Sequence, residues 1–298
     1  MRGLLLRVGL NTADVVVRSL PRGAAYALAD LGGRGWHRFA PSRRALVAEN
    51  LARVCAATGR PTTGRAFRRM VASAFVEHAR YYLELLRAPH YPADRIDQIV
   101  RAENWDHWET VMRGGAVVVT PHFGSFEPFG HLLAASGVRG VAPVEEIKPR
   151  ELYDFMAARR GAGQGVEMIP LSRARRRMVE SLRDGGIVAI VADRDLRGDG
   201  IAVEIFGHST TLPAGPAALS IMTGRPLVLT ACTREAPERF VGRAWAVEAE
   251  LTGDRRADTV ALTRALAARL EEAITPTPEQ WWATFQPYWS DQRSGKAE

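Results

Sequence analysis

Apolar and polar positions follow two different rhythms along this chain, and the change falls near residue 115. Before it, apolar residues recur every three or four positions, the period of an amphipathic helix. In "GRAFRRMVASAFVEHARYYLELLRAP", Phe67, Met70, Val71, Ala74, Phe75, His78, Tyr82 and Leu85 keep that spacing, and the run stops before Pro89. Ser42 is the expected N-cap of "RRALVAENLARVCAATG", which closes on Gly59. "ENWDHWETVMRGG" reads as a short helix ended by Gly114 and Gly115. At the N-terminus a helical reading places Arg7, Asn11, Asp14 and Arg18 on one narrow stripe. Leu4, Leu5, Leu6, Val8, Leu10, Val15, Val16 and Val17 cover much of the remainder, a face wide enough for a core or for a membrane surface.

After residue 115 the rhythm shortens to brief continuous apolar runs. Candidate strands are Ala116–Thr120, Val138–Ala142, Val166–Leu171, Ile187–Ala192, Ile201–Phe206 and Pro226–Thr233, with helical segments between several of them. Runs such as "AVVVT" and "IVAIVA" suit strands buried on both faces of a largely parallel sheet. "RFVGRAWAVEAEL" alternates and reads as an edge strand, and "ADTVALTRALAARLEEAIT" reads as a closing helix before a polar, aromatic tail. The expected architecture is α/β: a central, mostly parallel but mixed sheet flanked by helices. One domain spans 1–298, with a helical part over 1–115 and an α/β core over 116–298.

Composition narrows this only in places. With 298 residues, 46% of them hydrophobic, the chain can bury a large core. The formal net charge is +7, which favours anionic partners: a phospholipid surface, nucleic acid or a phosphate-bearing cofactor. Only two of the 40 basic residues are lysine, a skew that fits genome base composition and carries no functional weight. The two cysteines, Cys55 and Cys232, have no zinc-site spacing and suit a reducing compartment, with no support for a disulfide. "MRGLLLRVGLNTADVVVRSLP" opens like a signal peptide, but Arg7 interrupts the apolar run and no small-residue cleavage site follows. It is also too short without charge to cross a bilayer, and the uncharged run over 205–224 is broken by Gly, Pro, Ser and Thr.

The chemistry gathers at two strand ends, where open α/β sheets place their reactive groups. The first strand empties into "TPHFGSFEPF". Pro121 ends the ladder, and His122 and Glu127 follow, five residues apart, about 140° on an ideal helix. They are not a helical pair, but across a strand–turn–helix junction Glu127 can fold back towards the imidazole. A carboxylate on one ring nitrogen fixes the tautomer and frees the other nitrogen as a base. The second strand delivers Asp193, Arg194 and Asp195 before Gly198 and Gly200. If these strands are neighbours, one or both of the aspartates approaches His122. Taken singly, a His–Glu pair is a structural hydrogen bond and "DRD" a solvated turn; together they point to a shared site. There is no Gly-x-Ser-x-Gly elbow, and "GAGQG" at 161–165 lacks dinucleotide spacing.

These residues resemble a known family. "PHFGSFE" is similar to the His-x4-Asp/Glu motif of the glycerolipid and lipid A acyltransferases. "VADRDLRGDGIAVEIFGHSTTLPAGPAALSIMTGRPLV", "EEIKPRELYDFMAARR", "RRALVAENLARV" and "PEQWWATFQPYW" resemble the bacterial branch, and "EEIKP…ADRDL…LPAGPA" most resembles the actinobacterial phosphatidylinositol mannoside acyltransferases. The resemblance implies transfer of a fatty acyl group, palmitoyl-like, from acyl-CoA to a mannose hydroxyl, with no resident cofactor and no metal. It implies His122 as general base with Glu127 or Asp193, or both, as its carboxylate. Glu145 and Arg160 would be ligands for mannose and phosphate, and Arg194, Asp195 and Glu204 would bind acceptor or stabilise their loop. Oxyanion donors are expected from backbone N–H groups near Phe123–Phe126. "SRARRR" is a solvated helix face or steers CoA phosphates, and "AGPAALSIMTG" packs the core or lines an acyl tunnel. The partners implied are acyl-CoA, a glycolipid acceptor and the cytoplasmic face of the plasma membrane, bound peripherally, and no nucleic acid.

Three other readings compete. The first is a lipid A-type or other lysolipid acyltransferase, the lipid A type needing acyl carrier protein as donor and a Gram-negative cell. A metal-dependent hydrolase would use His122, Glu127, Asp193 and Asp195 as ligands and would lose activity to chelator. A non-catalytic lipid-binding protein would tolerate His122→Ala.

Overall fold

The two rhythms of the sequence become two kinds of layer in the computed structural model, which describes residues 2–161 and 165–294. The helical part holds α1 (Arg2–Ser19), α2 (Arg22–Phe39), α3 (Pro41–Ala57), α4 (Gly64–Arg87) and α5 (Ile96–Ile99). There follow β1 (Val100–Ala102), α6 (Trp105–Arg113), β2 (Val117–Thr120), α7 (Phe126–Ala135), β3 (Gly140–Val144), α8 (Arg150–Gly161) and β4 (Val166–Pro170). Next come α9 (Ala174–Arg183), β5 (Ile187–Val191), β6 (Ile201–Ile205), β7 (His208–Leu212), α10 (Gly215–Thr223) and β8 (Leu227–Ala236). The chain ends with β9 (Arg239–Val247), α11 (Arg255–Ile274) and the short α12 (Ser290–Ser294).

Among the described residues the main sheet has seven strands in the order β1-β9-β8-β2-β5-β3-β4. From β8 to β4 every neighbour is parallel, while β9 runs antiparallel to β8 and carries β1 parallel to itself. The fold is therefore α/β, with a mostly parallel, mixed sheet. The unbroken apolar run of β2 follows from its central position. Val118 faces Phe129, Leu132 and Leu133 of α7. Val117 and Val119 face the opposite core, which includes Leu182, Leu219 and Leu266 from α9, α10 and α11. Both sides of the pleat are dry, so no alternation is needed.

Three expectations need correction. β9 is not the outermost strand, because β1 pairs with its first residues, Phe240–Gly242. Ile201–Phe206 does not join the main sheet: β6 pairs only with β7, through a tight turn in which Phe206 and Gly207 both take positive φ. The N-cap of α3 is Ala40, and Ser42 lies inside the helix behind Pro41, whose fixed φ suits the first helical position. Cys55 and Cys232 are both free and buried.

The helical part is fixed to the sheet by shared packing and by ion pairs. α2 lies close on α4 because Gly33 has no side chain; a Cβ there would stand 2.6 Å from Val76 Cα. α3 and α4 bury Val47, Leu51, Val71 and Phe75 together with Trp282 and Phe285 of the aromatic tail. Arg234, on β8, is buried between Glu77 and Glu84 of α4, and the Tyr26 hydroxyl donates to Glu84 over 2.7 Å. α1 rests on α8, where buried Asp14 takes the Arg159 guanidinium at 2.7 Å. Among the described residues no helix is long and apolar enough to cross a membrane.

Candidate active site

Register brings the site together. In the β2–β5 ladder Thr120 lies opposite Val191, and the Ala192 N–H still donates to the Thr120 carbonyl over 3.2 Å. Two residues beyond the Thr120–Val191 pair, the same register sets His122 beside Asp193. Their side chains meet with His122 Nδ1 2.6 Å from Asp193 Oδ1. Asp193 is fully buried, and its Oδ2 accepts a second hydrogen bond, from the Trp281 indole N–H at 2.9 Å. Burial alone would raise the Asp193 carboxyl, but the His122 imidazole and the Trp281 donor outweigh it and hold the group below the usual aspartate value. An ionised carboxylate on Nδ1 demands an N–H there, which leaves Nε2 with the lone pair in the neutral ring. The His122 side chain is 30% exposed, so the ring opens to solvent.

The turn behind the ring is built by backbone bonds. Trp282 N–H donates to the His122 carbonyl at 2.8 Å, and Gly124 N–H donates to the Gln280 carbonyl at 2.9 Å. Ser125 N–H donates to the Cys232 carbonyl at 2.8 Å, and Phe123 N–H donates to the Pro121 carbonyl at 2.8 Å. Gly124 has φ +60°, and a Cβ there would run into the Cys232 carbonyl oxygen, so only glycine fits. These bonds narrow one expectation: of the Phe123–Phe126 donors, the N–H groups of Phe123, Gly124 and Ser125 are spent on the turn.

Glu127 goes elsewhere than expected. It opens α7, is buried, and takes the Tyr81 hydroxyl at 2.9 Å and Arg160 Nε at 3.5 Å, rather than the imidazole. Arg160 also donates to the Tyr81 hydroxyl at 2.9 Å and lies over the Phe126 ring. This cluster and the dyad share one wall, Trp282, whose indole lies 6.0 Å edge-on to His122, 3.6 Å from Tyr81 and 5.8 Å from Phe126, ring centre to ring centre. His78 stacks on the same indole and on half-exposed Tyr82; burial, with the nearby His122 and Arg43, pushes it down to about 3, so it is neutral.

The remaining predicted residues spread around the rim. Glu145 is exposed just beyond β3, at the same end of the sheet. Arg194 is half-buried next to Asp193 and has no hydrogen bond or ion pair to another described residue. Asp195 closes its own turn, accepting from the N–H groups of Arg197, Gly198 and Gly200 and from Thr211. Glu204 is exposed on β6 opposite Ser209. Among the described residues no three His, Cys, Asp or Glu side chains form a metal-binding group, and the four ligands of the hydrolase reading do not converge. Arg176 and Arg177 on α9 pair with Glu180 and Glu167 in solvent, and Ala217 and Leu219 of α10 pack in the core. Part of "GAGQG", residues 162–164, lies outside the described residues. Trp281, Trp282 and Tyr81 carry no signal of their own in the sequence. Each meets the site at a sequence separation of 46 or more, as in the Tyr81–Glu127 and Trp281–Asp193 bonds.

A strand-end histidine held by a buried aspartate thus sits on a mostly parallel sheet with a helical N-terminal region, a geometry that can support base-assisted group transfer. The family model described as bacterial lipid A biosynthesis acyltransferase matches residues 10–290, and the chain belongs to that family of acyltransferases. It is 31% identical over 287 residues to the phosphatidylinositol mannoside acyltransferase of Mycobacterium tuberculosis (strain ATCC 25618 / H37Rv), spanning 92% of this chain and 85% of that one. It is 30% identical over 305 residues to the protein of the same name from Mycolicibacterium smegmatis (strain ATCC 700084 / mc(2)155), spanning 99% and 96%.

Proposed function

We propose that this acyltransferase moves a fatty acyl group, palmitoyl-like in length, from acyl-CoA to a mannose hydroxyl of a phosphatidylinositol mannoside. The names of its mycobacterial relatives support the acceptor class. One observation supports the chemistry above all: Asp193 on Nδ1 leaves Nε2 of an accessible His122 as a base. The sugar oxygen attacks the thioester carbon while its proton passes to Nε2. The tetrahedral adduct collapses, the C–S bond breaks, and the imidazolium returns the proton to the departing CoA sulfur. General-base help of this kind is worth about 10²–10⁴-fold, and holding both substrates at the ring supplies much of the rest. Asp193 acts through His122 as its positioning residue. Arg194, with no hydrogen-bond or ion-pair partner among the described residues, Glu145 on the rim, and Arg160 beside Glu127 and Tyr81 are the acceptor's candidate ligands. No resident cofactor or metal enters this reading.

The acceptor's lipid calls for a membrane surface, and the outer faces of α1 and α2 suit one at the cytoplasmic side of the plasma membrane. Val8, Val15 and Val16 point outward on α1, with Leu28, Leu31 and Phe39 on α2, the last 81% exposed. The two acids of these helices, Asp14 and Asp30, are turned inward onto Arg159 and Arg80. The exposed charges are therefore basic: Arg7, Arg18, Arg22, Arg34 and Arg38. An apolar face framed only by arginines matches an anionic bilayer.

Purified protein with palmitoyl-CoA and a mannosylated phosphatidylinositol tests the reaction through CoA release. Release that depends on the acceptor supports it. Transfer only from acyl carrier protein, or to a lysolipid but not to the mannoside, refutes it.

A further inference from the structure

We infer that Trp281 is a positioning residue of the reaction: its indole N–H, on the outer oxygen of Asp193, fixes the carboxylate that orients His122. This rests on His122 serving as the base.

The chain of contacts is short and closed. Trp281 is fully buried, and its Nε1 donates to Asp193 Oδ2 at 2.9 Å, while Oδ1 of the same carboxylate holds His122 Nδ1 at 2.6 Å. The carboxylate is thus held at both oxygens and cannot swing away from the ring. The tail segment that carries Trp281 is tied to the same turn through the backbone. Trp282 N–H donates to the His122 carbonyl, Gly124 N–H donates to the Gln280 carbonyl, and Phe123 bridges to Trp281. The Gln280 side chain in turn pairs with the Arg234 backbone in both directions. The indole ring is itself packed edge-on against Tyr288 at 4.7 Å. A donor so rigidly held fixes its acceptor, and a hydrogen bond to a charged group is the strong kind. The tail therefore serves the chemistry as well as the packing.

The test compares Trp281→Phe with Trp289→Phe. Trp289 is an equally buried neighbour whose Nε1 has no acceptor among the described residues, so it controls for lost ring volume. In Trp281→Phe, kcat should fall about tenfold or more, with KM for palmitoyl-CoA within about twofold of wild type. The acid limb of kcat should move to higher pH, because losing a donor favours the protonated carboxyl. The low-field proton resonance of the His122–Asp193 hydrogen bond should shift or vanish, and in Trp289→Phe all four readouts should stay close to wild type. Should Trp281→Phe not fold, replacing tryptophan by benzothienylalanine, which keeps the ring shape without the N–H, gives the same comparison. Equal kcat, pH profile and resonance in the two variants would overturn the inference and leave Trp281 as packing alone. The resonance is read without substrate, so failure of the acyl-transfer reading would show as inactive wild type with the resonance still sensitive to Trp281.

Discussion

Asp193→Asn isolates the tautomer from everything else at the site. Asparagine has the same shape, and Trp281 still finds an oxygen acceptor at position 193. Its amide oxygen then faces the indole N–H and its NH₂ faces His122 Nδ1. The imidazole must accept at Nδ1 and carry its proton on Nε2, the atom that has to receive the sugar proton. The reactive tautomer is reached only by setting N–H against NH₂ in a buried site. The general-base contribution of about 10²–10⁴ is then largely lost, and the same substitution in a serine-protease triad costs about 10⁴. We expect kcat to fall about 10³-fold, near 4 kcal/mol at about 1.36 kcal/mol per decade. Stability should change by less than about 2 kcal/mol, since the variant loses charge-assisted bonds but also a buried charge. CoA release followed with a thiol reagent gives kcat directly, and the two buried cysteines keep the protein's own background low. A variant that keeps more than about a tenth of wild-type kcat with an unchanged melting curve would refute the assignment of Asp193.

Three further outcomes follow from the same geometry. Glu127→Ala leaves the largely buried Arg160 without its carboxylate and should cost about 3 kcal/mol in urea unfolding, while kcat per folded molecule stays within about tenfold; a collapse of kcat without lost stability would instead place Glu127 on the imidazole. The folded-state carboxyl of Asp193 lies below its unfolded value of 3.8, so its contribution is fully present above that pH and is lost as pH falls through the folded value. The stability gap between wild type and Asp193→Asn, read from tryptophan fluorescence, should be flat from pH 7 to about 4 and shrink below; a gap that closes above pH 5 would contradict the depressed carboxyl. Leu31→Asp with Phe39→Asp should weaken binding to vesicles containing anionic phospholipid at least tenfold, about 1.4 kcal/mol, and unchanged sedimentation with vesicles would remove this face from the membrane.

Much of this was legible in the sequence because local rules carry it. The apolar run of β2 announces a doubly covered strand, Pro121 announces its end, and the acids after β5 announce a second strand end. Pairing these two strands places His122 by Asp193 through register alone, and register is what a strand pattern encodes best. What stayed hidden is non-local. Glu127 lies five residues from His122, yet burial at the start of α7 gives it to Tyr81 and Arg160, from elements 46 and 33 positions away. The choice between two nearby acids is set by packing, which no spacing reveals. Ser42 has the chemistry of a cap, but Pro41 fixes the helix start two residues earlier. The β6–β7 hairpin was half seen because "HSTTL" has too few apolar residues to read as a strand, although its partner pairs with every one of them. The aromatic tail resembled the family, but nothing in "PEQWWATF" tells which indole reaches Asp193.

The role of His122 is met most directly by steady-state kinetics of His122→Ala with palmitoyl-CoA and the mannoside acceptor. Acceptor-dependent CoA release per folded molecule should fall by about 10³-fold or more, with acyl-CoA binding close to wild type. Release from the variant at the wild-type rate would contradict base catalysis by this residue.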